Sequence, residues 1–240
     1  MDNTVSVGMN RTGLDMAPLS KDKLVAFAQE QAGRAPQEPC GLADIRKAYG
    51  LEADRVGTVP LPARMKGMAS TVAGKLKGTN PEVLIDKLGE RLAYERTGVR
   101  LYEALIAKVG AASTGPVLDL GALQEIRDDE LRHFHLLAQA LTAIGADPTA
   151  MTPCADVAGV AAAGHMQVLT DPRTSVAQAL NSILAVELAD NASWELLVDL
   201  AQAAGHDDLA RSFTAALATE ARHMQVVQGW LRDAVLDEAT

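Results

Sequence analysis

From Asn80 onward, apolar residues recur every three or four positions in four long runs, which predicts four amphipathic helices. The first reads Leu84, Leu88, Leu92, Glu95, Val99, Tyr102, Ile106, Val109, and the second Leu123, Ile126, Glu130, His133, Leu137, Leu141, Ile144. The third reads Leu180, Leu184, Glu187, Asp190, Trp194, Val198, Ala201, and the fourth Leu209, Phe213, Ala216, Glu220, His223, Val227, Trp230. Each stripe is interrupted near its middle by a glutamate, and two of the four also carry a histidine there.

Punctuation agrees with the periodicity. Asn80-Pro81-Glu82 places a capping residue, a proline at the first helical position and an acid in the first turn, with Gly110 as a stop. Asp119 is set to cap a second helix ending at Gly145. Thr174 or Ser175 opens a third ending near Gly205, and Asp207 a fourth reaching about 235. The connection between the second and third runs is long, holds Pro148, Pro153 and Pro172, and contains a short apolar segment near 155–168. Four long helices, two short loops and one long middle connection predict an all-α, antiparallel four-helix bundle with a crossover between its second and third helices.

Residues 1–79 differ. Gly8, Gly13, Pro18, Pro36, Pro39, Pro60 and Pro62 break them up, and the stretches 21–32, 42–49 and 63–77 are expected to be helical. The expected division is an N-terminal arm over 1–79, partly irregular and packed on the main domain, and the bundle over 80–240.

Composition narrows the class. The chain has 240 residues, 48% of them hydrophobic but only 3% aromatic, so Ala, Leu and Val supply much of the apolar content and favour helix. A formal net charge of −9 without basic clusters argues against nucleic acid as a partner. No apolar run is long enough to cross a bilayer, and residues 1–20 lack the apolar core of a signal peptide, so a cytoplasmic location is expected. Cys40 and Cys154 are read as two free thiols.

The interrupted stripes carry the chemistry. Buried carboxylates without partners are costly, and four at one depth would repel one another. Two divalent cations would balance their four negative charges. Carboxylate oxygen and imidazole nitrogen suit iron first, with manganese or zinc as alternatives. In Glu130-Leu131-Arg132-His133 and Glu220-Ala221-Arg222-His223, the three-residue spacing puts both side chains on one helix face. Glu95 and Glu187 on the other two helices complete a six-residue set of metal ligands.

An internal repeat supports the set. Glu95 is followed seven residues later by Tyr102 and Glu187 by Trp194, and each of these segments precedes a Glu-x-x-His segment. Two related halves would set two metals side by side. Tyr102 is the candidate catalytic side chain, through a hydrogen bond to a ligand carboxylate, with Trp194 a weaker candidate for the same role. Asp190 is expected to orient a histidine through its second nitrogen or to bind water. Tyr94 is read mainly as packing. His135, His165, His206, Glu103 and Glu195 are expected at the surface.

These motifs resemble those of the ferritin-like superfamily of di-iron carboxylate proteins, over residues 80–235. The resemblance implies Glu130 and Glu187 as bridging carboxylates and Glu95 and Glu220 as terminal ones. It also implies O2 or peroxide as the reaction partner and a homo-oligomer as an assembly to test. Leu131 stands where bacterioferritins carry a haem-binding Met, and there is no rubredoxin module. The implied function is a ferroxidase or oxidase, and the alternative is a protein that sequesters metal without turnover.

Overall fold

The computed structural model describes residues 40–54, 56–62, 80–112 and 118–240, with a few isolated positions besides. Every regular element among them is helical, and none is a strand. The chain divides into two compact units, Met1–Asp54 and Arg55–Thr240. The first contains helix α1 (Cys40–Glu52), which covers the expected stretch 42–49 and whose described side chains are exposed. The expected helical stretches 21–32 and 63–77 lie mostly outside the described residues, and the scattered positions described within them are helical.

The second unit holds α2 (Pro81–Ala111), α3 (Leu120–Ala143), α4 (Pro153–Thr170), α5 (Val176–Ala203) and α6 (Asp207–Ala239). Local chemistry explains the boundaries. Asp119 accepts from the backbone N–H groups of Gly121 and Ala122, so α3 starts where the sequence placed it. Ser175 and Gln178 form a reciprocal capping box that starts α5. Both Gly145 (φ +88°) and Gly205 (φ +76°) take the left-handed conformation. At each, the next N–H reaches back to the helix, Ala146 to Leu141 O and His206 to Ala201 O. That is a Schellman ending, and it requires glycine-like freedom at those two positions.

The helices α2, α3, α6 and α5 form a cycle of contacts: α2 with α3, α3 with α6, α6 with α5, and α5 with α2. The crossover contains an 18-residue helix of its own, α4, which packs against α2 and α5. The sequence predicts only a short apolar segment there. Ten of the helix's 18 residues are Ala, Gly or Val, which gives it a weak apolar-polar contrast. Thr152 caps it, and the Asp86 carboxylate accepts from Cys154 N at 2.9 Å, tying its start to α2.

Helix α2 thus has three neighbours, which changes its burial. Leu101 and Leu105, off the predicted stripe, are fully covered, while Ile106 and Val109 on it are only partly so. Two apolar clusters result. One surrounds Leu101, Leu105, Leu123, Leu180 and Val227, and the other Leu88, Leu137, Trp194 and Phe213. The interrupted middle of every stripe lies between them. No described helix is long and apolar enough to cross a membrane.

Candidate metal centre

The six sequence-predicted ligands come together. Glu95, Glu220 and His223 have no exposed surface, and Glu130, Glu187 and His133 are 3%, 1% and 6% exposed. Their donor atoms fall into two groups, Glu130 with Glu187, Glu220 and His223, and Glu95 with His133 and Glu220. Within each group the atoms lie within 4.8 Å of one another. Glu220 is the shared member, a place the resemblance would give to Glu130 or Glu187.

Both histidines turn Nδ1 inward. His223 Nδ1 lies 3.1 Å from Glu220 Oε2 and 3.7 Å from Glu130 Oε1, and His133 Nδ1 lies 3.8 Å from Glu95 Oε2 and directly against Glu220 Oε1. Four inward atoms, Glu95 Oε2, His133 Nδ1, Glu187 Oε2 and Glu220 Oε1, have no hydrogen bond of acceptable geometry. Buried polar atoms are rarely left so. Hard-oxygen and imidazole donors clustered in this way fit a pair of first-row cations.

The other carboxylate oxygens are held from behind. Tyr102 on α2 donates its hydroxyl to Glu187 Oε1 on α5. Trp194 on α5 donates Nε1–H to Glu95 Oε1 on α2 at 2.9 Å. Each half's aromatic therefore holds the other half's glutamate, and both orient a carboxylate whose second oxygen points inward. Tyr94 donates to Val186 O at 2.8 Å, and Asn191 Nδ2 donates to both Glu187 O and Glu220 O, at 3.0 and 3.1 Å. These contacts set the helix register at the site.

Two supporting residues were not visible to sequence reasoning. Arg91, 2% exposed, donates to Glu95 Oε1 at 2.7 Å, pairs with Asp190 and stacks over Tyr94 with its guanidinium carbon 4.3 Å from the ring centroid. Asp190 therefore answers an arginine and not a histidine, because Arg91 reaches it across the α2–α5 contact. The carboxylate that meets a histidine's second nitrogen is Asp129, 3.1 Å from His223 Nε2 and also bonded by Arg132 and Arg222. Lying next to Glu130, Asp129 reads in the sequence as one more acid of an exposed run, Asp128-Asp129. Among the other side chains, Glu103, Glu195 and His135 are exposed as expected. His165 and His206 are half-buried, His165 with its Nδ1 2.9 Å from Ser182 Oγ. Cys154 is a free thiol, and the side chain of Cys40 lies outside the described residues.

Electrostatics follow from this crowding. Burial, reinforced by the charges of Glu220 and Glu95, lifts Glu130 well above the ordinary carboxylate range. Burial and the charge of Glu220 push Glu187 up to about 8. Burial also raises Glu95, against the pull of Arg91. Glu220 goes the other way. Burial opposes its charge, but the imidazoles of His133 and His223 pressed against it prevail and bring it down to about 2. His223 is the complement. Burial disfavours its charge, yet Glu130 and Glu220 hold it protonated up to about 11. Without cations, the cluster neutralises itself with protons on carboxylates and imidazole.

No family model, curated protein or solved structure matches the chain.

Proposed function

We propose that residues 80–240 form a ferritin-like, antiparallel four-helix bundle that binds two metal ions, iron first, and reduces O2 or peroxide as a ferroxidase or oxidase. The observation carrying this reading is the cluster of six buried ligand side chains with four inward atoms lacking hydrogen bonds. Glu95 and His133 would hold one ion, and Glu187 and His223 the other. Glu220, common to both groups, would lie between them. The repeat assigns the equivalent position to Glu130, so the terminal pair becomes Glu95 and Glu187.

When bound, an iron pair supplies the electrons for reducing O2 or peroxide. The chain's own residues do the rest. Tyr102 and Trp194 hold one oxygen of each terminal carboxylate and leave the other free to ligate. The two apolar clusters, anchored by Leu123 and Leu180 on one side and Trp194 and Phe213 on the other, keep bulk water from the donors. Protons displaced from Glu130 and Glu187 on loading must leave the site, so binding is coupled to proton release.

Metal content of the purified chain and the rate of Fe(II) oxidation test the reading together. Two metals per chain and O2 consumption faster than in buffer are expected. Glu220→Ala should lose both metals, whereas His133→Ala and His223→Ala should each weaken one. Two metals bound with no turnover would leave a sequestering protein, and no metal bound would sink the reading.

A further inference from the structure

A cavity lies beside the cluster, between α2, α4 and α5, with a volume of about 140 Å³. Its interior is apolar, with Leu101, Ala162 and Val186 among its walls. At the surface it is bounded by the exposed residues Ala161, Ala185 and Ala189. One wall is Gly98, and a Cβ built there would fall 2.0 Å from Glu130 Oε2. Only a missing methyl group at Gly98 thus makes room for the Glu130 carboxylate behind the cavity. Val186 and Leu101 are chain neighbours of Glu187 and Tyr102, so the cavity and the cluster share their supporting backbone.

Three polar side chains line this space, and two are committed to backbone carbonyls: Tyr94 donates to Val186 O and Thr97 to Ala93 O, both at 2.8 Å, which leaves His165. Its Nδ1 is engaged by Ser182 Oγ at 2.9 Å, which leaves Nε2 as the ring atom to meet a ligand. Mostly apolar pockets with a few placed polar groups are the usual form of small-molecule sites. A dry apolar cavity of about 150 Å³ takes benzene, so this volume suits a single small ring or a molecule of similar bulk. Neither the walls nor His165 offer a counter-charge pair for an ion.

We propose that this cavity is a binding site for a small, uncharged, largely apolar molecule with one polar end, seated against Gly98 on the opposite side from Glu130, with His165 taking the polar end. As a co-substrate site it rests on the di-metal reading, whereas binding itself does not.

The test uses the full chain equilibrated with Zn(II), with phenol and benzene as probes. Methyl NMR signals of Leu101 and Val186 report binding, and zinc per chain is measured on the same samples. Both probes should shift these methyls saturably, phenol binding about fivefold tighter, the worth of roughly 1 kcal/mol for one hydrogen bond. His165→Leu should bring phenol down to the level of benzene. Ala161→Leu and Ala189→Leu, at exposed mouth positions on two helices, should each weaken both probes by about tenfold or more while zinc content stays unchanged. Absence of saturable shifts in the parent chain, or unchanged binding in both mouth variants, overturns the proposal. Binding that behaves as expected in a chain that holds neither zinc nor Fe(II) supports the cavity and refutes the di-metal reading, so the two failures are distinguishable.

Discussion

The α2–α3 half and the α5–α6 half bring matching candidate ligands to the centre and hold them differently. In the first, Glu95 Oε1 takes two donors, the Arg91 guanidinium and the Trp194 indole. In the second, Glu187 Oε1 takes only the Tyr102 hydroxyl, and Ile183 stands where α2 has Arg91. The histidines differ in the opposite sense. His223 has Asp129 on its second nitrogen, whereas Thr219, the equivalent of Asp129 beside Glu220, donates to Ala215 O within its own helix. A cationic neighbour draws charge from a ligating carboxylate, and an anionic neighbour makes an imidazole a stronger donor. Both effects would favour a cation at Glu187 and His223 over one at Glu95 and His133. A repeat in sequence can thus yield two unequal positions, because the differences lie in side chains outside the repeated motif.

The largest expected effect comes from breaking the asymmetry at Arg91. Arg91→Leu strands Asp190 in the interior and removes a donor from Glu95. Removing one partner of a buried pair costs about 3–5 kcal/mol. Chemical denaturation should show that loss. The double variant Arg91→Leu with Asp190→Leu should recover part of it, since Asp190 is no longer stranded while Glu95 still lacks its arginine donor. Equal losses in the single and double variants would mean that the pair is not what holds α2 to α5.

A smaller change sharpens the comparison on the other side. Asp129→Asn should lower affinity at the Glu187–His223 position by about 10–100-fold, the usual consequence of losing a histidine's outer partner. Asp128→Asn, beside it on the exposed face, should do nothing. Competitive titration with Mn(II) separates the two positions. If Asp129→Asn weakens the Glu95–His133 position instead, the assignment of ligands to ions is wrong.

The least visible effect is a dependence on pH in the metal-free chain. Glu187 is raised in the folded state to about 8, above its ordinary value of 4.5. A folded pKa above the unfolded one means that the native state binds the extra proton. Its stabilising contribution is therefore complete below about pH 4.5 and lost as pH rises through about 8. The melting temperature of the apo chain should fall across that window, and Glu187→Gln should flatten part of the fall. Metal loading should abolish it, because cations replace the protons. A metal-free melting temperature that rises from pH 5 to 8 would refute the assigned direction.

Much of this was legible in the residues themselves. Asp119, Ser175, Gly145 and Gly205 act through bonds to their own neighbours, so helix boundaries follow from local chemistry. The convergence of four glutamates and two histidines was legible because an ionisable residue inside an apolar stripe needs a partner when buried, and the six lie at one level of their helices. Helix α4 was less legible, since its Ala, Gly and Val residues show little contrast between faces, and Leu101 and Leu105 look like off-stripe residues until α4 covers them.

The chain by itself determined four long amphipathic helices, their ends, and which glutamates and histidines lie on inward faces, because period and capping are properties of consecutive residues. Only the tertiary structure decided that Glu220 is common to both groups, that Trp194 and Tyr102 exchange partners between halves, and that Arg91 and Asp129 make those halves unequal. Each of these depends on a distance between residues far apart in sequence. Such distances are set by how helices approach one another, and no spacing along one helix contains them.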